Sequence, residues 1–147
     1  MKKNSKASVA LHALAHLIKQ QAPVTSEALG ICLQTNPVVV RRVLGELKKK
    51  GIVESEKGHG GGWIVAKDAK DISFSDVFHA LDEKLVPAAP KLDNDEQCMI
   101  MKTLALIMSD FLSDAQALLD NRLKKISIHD LVTQLELPHH QSHTPYP

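Results

Sequence analysis

The chain has 147 residues, 44% hydrophobic and 3% aromatic, with a formal net charge of +1. That length predicts one domain, or one domain with an appendage, around an aliphatic core. No apolar run approaches the roughly 20 residues of a membrane span and no signal-peptide pattern opens the chain, so a cytoplasmic location is expected.

Residues 1–6 carry Lys2, Lys3 and Lys6 and are expected to form a flexible arm. A first helix is predicted over about Lys6 to Gln20, with Leu11, Leu14, Ala15 and Ile18 on one face. His12 and His16 stand i, i+4 on it, the spacing of two-histidine metal sites. No third ligand is offered nearby, and no metal is expected. Gln21-Ala22-Pro23 ends the helix and delivers the chain to Thr25.

The stretch Thr25 to Ala66 organises the rest. Thr25 is a good N-cap, with Glu27 near the positive end of the helix dipole. Leu29, Cys32 and Leu33 repeat at i, i+3, i+4, and Cys32 on that face is expected to be a buried small hydrophobe. Asn36 followed by Pro37 starts a second helix, on which Val40, Val43, Leu44 and Leu47 should pack on the first helix of the pair. Asn36 opens the other side, and Val38, Val39, Arg41 and Arg42 fill its N-terminal end. Arginine bonds guanine bidentately and valine touches a thymine methyl, so this is the pattern of a recognition helix. Lys48, Lys49 and Lys50 suit the helix C-terminus, and Gly51 is the expected left-handed stop.

Ile52 to Ser55 and Trp63 to Ala66 are strand-like runs flanking G-H-G-G-G and predict a β-hairpin, or wing, with Lys57 and His59 at its tip. Two other readings of these glycines fail. An oxyanion loop would need a G-x-S-x-G elbow elsewhere in the chain. A phosphate loop would need G-K-[ST] opening a helix, and here a strand follows. Charge is distributed accordingly: from Asn36 to Lys57 six Lys/Arg against three Glu give +3, and from Asp68 to Glu96 three Lys against eight Asp/Glu give −5. A basic excess on that face is what capture of a polyanion requires.

K-K-K-G-I-V-E-S-E-K-G-H-G-G-G-W-I-V-A resembles the L-x-x-x-G-L-V-x-S-x-R-G-x-x-G-G-Y-x-L-A signature of the Rrf-type bacterial winged-helix regulators. N-P-V-V-V-R-R-V-L-G-E-L is similar to the recognition helix of that family, which includes an iron–sulfur cluster regulator, a nitric-oxide-sensitive repressor and a cysteine-metabolism repressor. The resemblance implies that Val38, Val39, Arg41 and Arg42 read bases and that Lys57 takes the place of the wing arginine. It extends weakly from about residue 7 to residue 136.

After the wing, Ala66 to Asp71 is a polar connector. Ser73 and Asp76 form a variant capping box for a helix carrying Phe74, Val77, Phe78 and Leu81. The same I-S-φ-x-D-φ arrangement returns at Ile126 to Leu131 as reuse of a capping solution. Pro87 to Asn94 is a linker. From Asp95 to Arg122 the longest helical pattern carries two apolar stripes. One runs through Met101, Ala105, Met108, Leu112, Ala115 and Leu119, the other through Ile100, Leu104, Ile107, Phe111 and Leu118. A domain this small supplies one surface for such a helix, and a second copy supplies the other. Ile100, Leu104, Met108, Phe111, Leu112 and Leu119 are therefore the expected dimer interface. A short helix follows from Ser127 to about Leu137, and the end, P-H-H-Q-S-H-T-P-Y-P, is expected to be disordered.

The chain has two cysteines, Cys32 and Cys98, too few for a disulfide framework. Cluster-binding members of the family place three cysteines in and before the long helix. Only Cys98 stands there, so no cluster and no cofactor are expected, and Cys98 is the candidate redox residue.

The expectation is a mainly α fold with a small β-hairpin. A winged helix-turn-helix domain should occupy 1–86, and the linker, long dimerisation helix and short C-terminal helix 87–137, with a tail at 138–147. Asn36, Val38, Val39, Arg41, Arg42, Lys57 and His59 are the expected DNA contacts of a homodimeric transcriptional repressor on a pseudo-palindromic operator. Nothing in the chain offers a nucleophile–base pair or clustered carboxylates, so it is not expected to be an enzyme. The alternative is a winged helix used for protein–protein contact, which would need no arginines facing a groove.

Overall fold

The computed structural model describes residues 1–136, and the expected tail at 138–147 lies outside them. The first helix, α1, runs over Lys6–Gln20, as its apolar spacing predicts, with Ser5 capping it by accepting from the Ser8 amide. Next come α2 at Ser26–Leu33 and α3 at Pro37–Lys49, then strands β1 at Val53–Glu56 and β2 at Gly62–Val65. A 3-10 turn at Ala69–Asp71 leads to α4 at Phe74–Ala80, the long α5 at Met99–Leu123, and α6 at Ile128–Glu136.

The caps fix most of these boundaries. Thr25 accepts from the Ala28 amide at 3.1 Å and Asn36 from the Val38 amide at 2.8 Å, so each helix starts where an oxygen satisfies an orphan donor. At the end of α3 the Ile52 amide bonds the Leu47 carbonyl at 3.1 Å and the Gly51 amide bonds Lys48 at 3.0 Å. Gly51 sits at φ 71°, where a residue without Cβ closes this double-bonded stop at no steric cost. The strands pair antiparallel with Val53 opposite Val65 and Glu56 opposite Gly62, one residue out of step with the hairpin limits expected from sequence.

One aliphatic core joins these elements. Leu14 of α1, Leu29 of α2, and Val40, Leu44 and Leu47 of α3 are almost wholly buried, together with Val53, Ile72 and Val77. α6 returns to this core: its Ile128 and Val132 are buried in the same cluster, with α1 and the 3-10 turn as neighbours. The two I-S-φ-x-D-φ motifs explain the return, because they pair with each other. The Phe74 amide bonds the Ile126 carbonyl at 2.8 Å and the Ile128 amide bonds Ile72 at 2.9 Å, while each serine and aspartate also closes its own capping box. Asp130 accepts from the Ser127 amide and hydroxyl, which holds its carboxyl below the usual range.

Two expectations are corrected. Cys32 is exposed. The buried side of α2 is Ser26, Leu29, Gly30 and Leu33, and its centre lies on the far side of Leu29 from Cys32. Second, α5 starts at Met99 rather than Asp95. The Glu96 carboxylate accepts from the Cys98 amide at 2.8 Å, and Cys98 itself is the exposed N-cap. The six expected dimer residues differ in their exposure within one chain. Met108, Leu112 and Leu119 are half-buried on the side of α5 facing its own chain, beside the buried Ala105, whereas Ile100, Leu104 and Phe111 are exposed.

Candidate nucleic-acid interface

The interface is built outward from α3. Because Val40, Val43, Leu44 and Leu47 turn inward, the residues between them must face solvent. Val38 and Val39 are 53% and 36% exposed, apolar side chains that their own chain covers only in part. Arg41 and Arg42 follow, both exposed. Asn36 spends its carbonyl oxygen on the cap, so its NH2 is the group left to face outward.

The two arginines differ. Arg41 donates from Nη2 to Glu27 Oε1 at 2.9 Å, so the first turn of α2 holds its guanidinium. Both side chains are more than half exposed, and such a pair contributes only about 0–1 kcal/mol, little enough for a phosphate or base to displace. Arg42 makes no ion pair among the described residues. Glu27 was legible only as a helix-dipole acid, since nothing in the sequence shows that a residue 14 positions later reaches it.

The hairpin is fastened to this helix pair at several points. Trp63 Nε1 donates to Ser26 Oγ at 2.8 Å, giving the buried serine its partner. Trp63 and Val24 exchange backbone bonds of 2.8 and 3.1 Å, so β2 pairs with the segment entering α2. A Cβ on Gly62 would stand 2.6 Å from the Val24 backbone, which is why the position admits only glycine. Lys48 Nζ donates to Ser55 Oγ at 2.6 Å, tying the end of α3 to β1. The loop from 57 to 61 projects beyond these anchors and carries Lys57 and His59, both exposed. None of these anchors was foreseen. Ile31 of α2 was also missed, a large apolar side chain 80% exposed on the surface of the helix pair.

A second exposed surface lies on α5, where Ile100, Leu104, Ile107, Phe111 and Leu118 form one uncovered row. Among the described residues no helix is long and apolar enough to cross a membrane.

The family model for Rrf2, described as an iron-dependent transcriptional regulator, matches residues 3–134. YwnA of Bacillus subtilis strain 168, assigned to the HTH-type transcriptional regulators, is 31% identical over 132 residues, covering 90% of this chain and 98% of that one. The structure of IscR from T. potens superposes with a TM-score of 0.69 at 19% identity, covering 92% of this chain and 89% of that one. CymR, the global cysteine regulator of B. subtilis, superposes with a TM-score of 0.60 at 17% identity, covering 91% and 98%. Among the described residues the iron in the family description has no matching donor set. Iron–sulfur clusters need several thiolates, and this chain has Cys32 on α2 and Cys98 at the start of α5. Among the described residues no group of three His, Cys, Asp or Glu side chains is gathered to hold a metal ion. With a winged helix-turn-helix, a long C-terminal helix and a match over nearly its whole length, the chain belongs to the Rrf2 family of bacterial DNA-binding transcriptional regulators, not enzymes.

Proposed function

We propose that the chain is a homodimeric repressor that reads a pseudo-palindromic operator without a resident iron–sulfur cluster. The observation that carries this is the set of exposed side chains at the start of α3, anchored beside a hairpin whose tip is basic. Val38, Val39, Arg41 and Arg42 meet base edges in the major groove, and Asn36 lies at its lip. Lys57 and His59 reach phosphates or the neighbouring minor groove. Repression follows from occupancy of a site that the transcription machinery must also use.

Dimerisation rests on α5. Full burial of an exposed Ile, Leu or Phe contributes about 1.5–3 kcal/mol. Ile100, Leu104, Ile107 and Phe111 keep 44–78% of their surface exposed, so each gains a part of that when a second copy of the same helix covers it reciprocally. Two recognition helices held in this way bind two half-sites together. Cys98, exposed at the head of that helix, is the proposed point of a thiol-redox response. A peroxide would oxidise its thiolate to the sulfenic acid, which condenses with a second thiol to a disulfide and displaces the helix. Salt titration of binding to duplex DNA tests the reading. A steep fall in affinity with rising salt is expected, whereas a winged helix used only for protein contact would bind no duplex.

A further inference from the structure

One concavity stands apart from both the DNA-facing and the α5 surfaces. Between α1 and α6 lies an open groove of about 580 Å³, within the range of small-molecule sites. Leu11, Phe74, Leu131 and Leu135 supply its apolar wall. Along one side run His12, His16 and Lys19, at i, i+4 and i+7 of α1, so one helix stripe presents three nitrogen-bearing side chains in a row. The rings of His12 and His16 are stacked with centroids 5.0 Å apart. None of the described residues lining the groove is acidic: α4 and α6 face the histidines with Phe74, Leu131 and Leu135 only.

A stripe of one ammonium and two imidazoles that can take up a proton, beside an apolar wall, is the complement of an amphipathic anion. We propose that the α1–α6 groove is an effector site for a carboxylate with an aliphatic or aromatic body. Its head group lies on His12, His16 and Lys19, and its body packs against Phe74, Leu131 and Leu135. The electrostatics of the groove agree. Partial loss of solvent pulls the His12 imidazole below the usual histidine range, and the charges of His16 and Lys3 pull it further. An anion would supply the missing countercharge and raise it, so affinity should grow as pH falls through the histidine range. α1 packs directly on α2 and α3, so an occupant acts on the helix that supports the recognition helix. That consequence rests on the DNA-binding reading, whereas binding in the groove does not.

Calorimetric titration of the full chain with octanoate, below its micelle concentration and without DNA, tests the site. Octanoate is expected to bind severalfold more tightly at pH 6 than at pH 8, and octan-1-ol and octylamine to bind at least tenfold more weakly. The double variant His12→Gln, His16→Gln should lose roughly tenfold in affinity, the value of a charge-assisted bond, and should also lose the pH dependence. Leu131→Trp should fill the groove and abolish binding. Where that variant unfolds, the surface histidine pair still decides the matter. Octanol bound as tightly as octanoate, or octanoate affinity unchanged in the double variant, overturns the proposal. A chain ending at Glu136 that binds octanoate while the full chain does not assigns the groove to residues 137–147 and also overturns it. So does an Ala15→Trp variant that turns a dimer into a monomer, since the occupant is then a second copy. DNA binding is read separately, so failure here leaves the interface on α3 standing.

Discussion

Helices α3 and α5 are both rich in aliphatic residues, yet they are used in opposite ways. α3 gathers its four buried residues on one side and satisfies them inside the chain, leaving two valines and two arginines outside. α5 is 25 residues long and has a single buried residue, Ala105, with apolar side chains on both sides. The first helix is complete as folded and offers polar chemistry. The second is incomplete as folded and offers area. In the proposed function the one-sided helix carries recognition and the two-sided helix carries assembly.

Truncation should separate the two most sharply. Leu44→Ala removes a wholly buried side chain of α3 and should cost about 3–5 kcal/mol, read as a large fall in the urea midpoint. Ile107→Ala on α5, 61% exposed, should leave the unfolding of an isolated chain nearly unchanged while weakening self-association. Equal losses at both sites would erase the distinction. Next in size, Phe111→Glu should place a charge in the proposed dimer face and yield folded monomers by sedimentation. DNA affinity should then drop steeply, because two half-sites no longer bind together. A parent chain that is itself monomeric at micromolar concentration would contradict the assembly.

Within the DNA-facing side the effects are smaller and differ in kind. Arg42→Ala should cost about 1–3 kcal/mol and relax base preference, the signature of a lost bidentate guanine contact. Lys57→Ala should weaken all sequences alike and lower the salt slope by about one. Smallest is the capping box of α6. Because the Asp130 carboxyl is held low in the folded chain, its contribution is present above the ordinary aspartate range and lost as pH falls through the lowered value. Asp130→Asn should therefore reduce the thermal midpoint slightly at pH 6 and not at strongly acidic pH. A reduction of equal size at both would mean that ionisation is not involved.

The readable parts were those governed by local chemistry. Ser73 with Asp76, Asn36 with Pro37, and Gly51 each act within a few residues, so their helix limits followed from sequence. Positions settled by small residues or by distant partners were not readable. Cys32 looked inward-facing because Leu29 and Leu33 flank it, but Ser26 and Gly30, which do not register as apolar, set the buried side. The long helical pattern was expected to open at Asp95, yet Glu96 lies before α5 and accepts from the Cys98 amide from outside. At the interface, the exposure of Arg41 and Arg42 was legible from the spacing of Val40, Val43 and Leu44. The hold of Glu27 on Arg41, and of Ser26 on Trp63, depends on how α2, α3 and the hairpin meet. The groove between α1 and α6 was hidden for the same reason, since α6 returns to α1 through backbone pairing between two distant motifs.

Selection of bound sequences from a random duplex pool tests the central claim most directly. Enrichment of a two-fold-symmetric sequence is predicted, with half-sites about one helical turn apart, roughly 34–36 Å, and with guanines whose preference disappears in Arg42→Ala. A pool that emerges with no enriched sequence, or with an enriched sequence indifferent to Arg42, would contradict it.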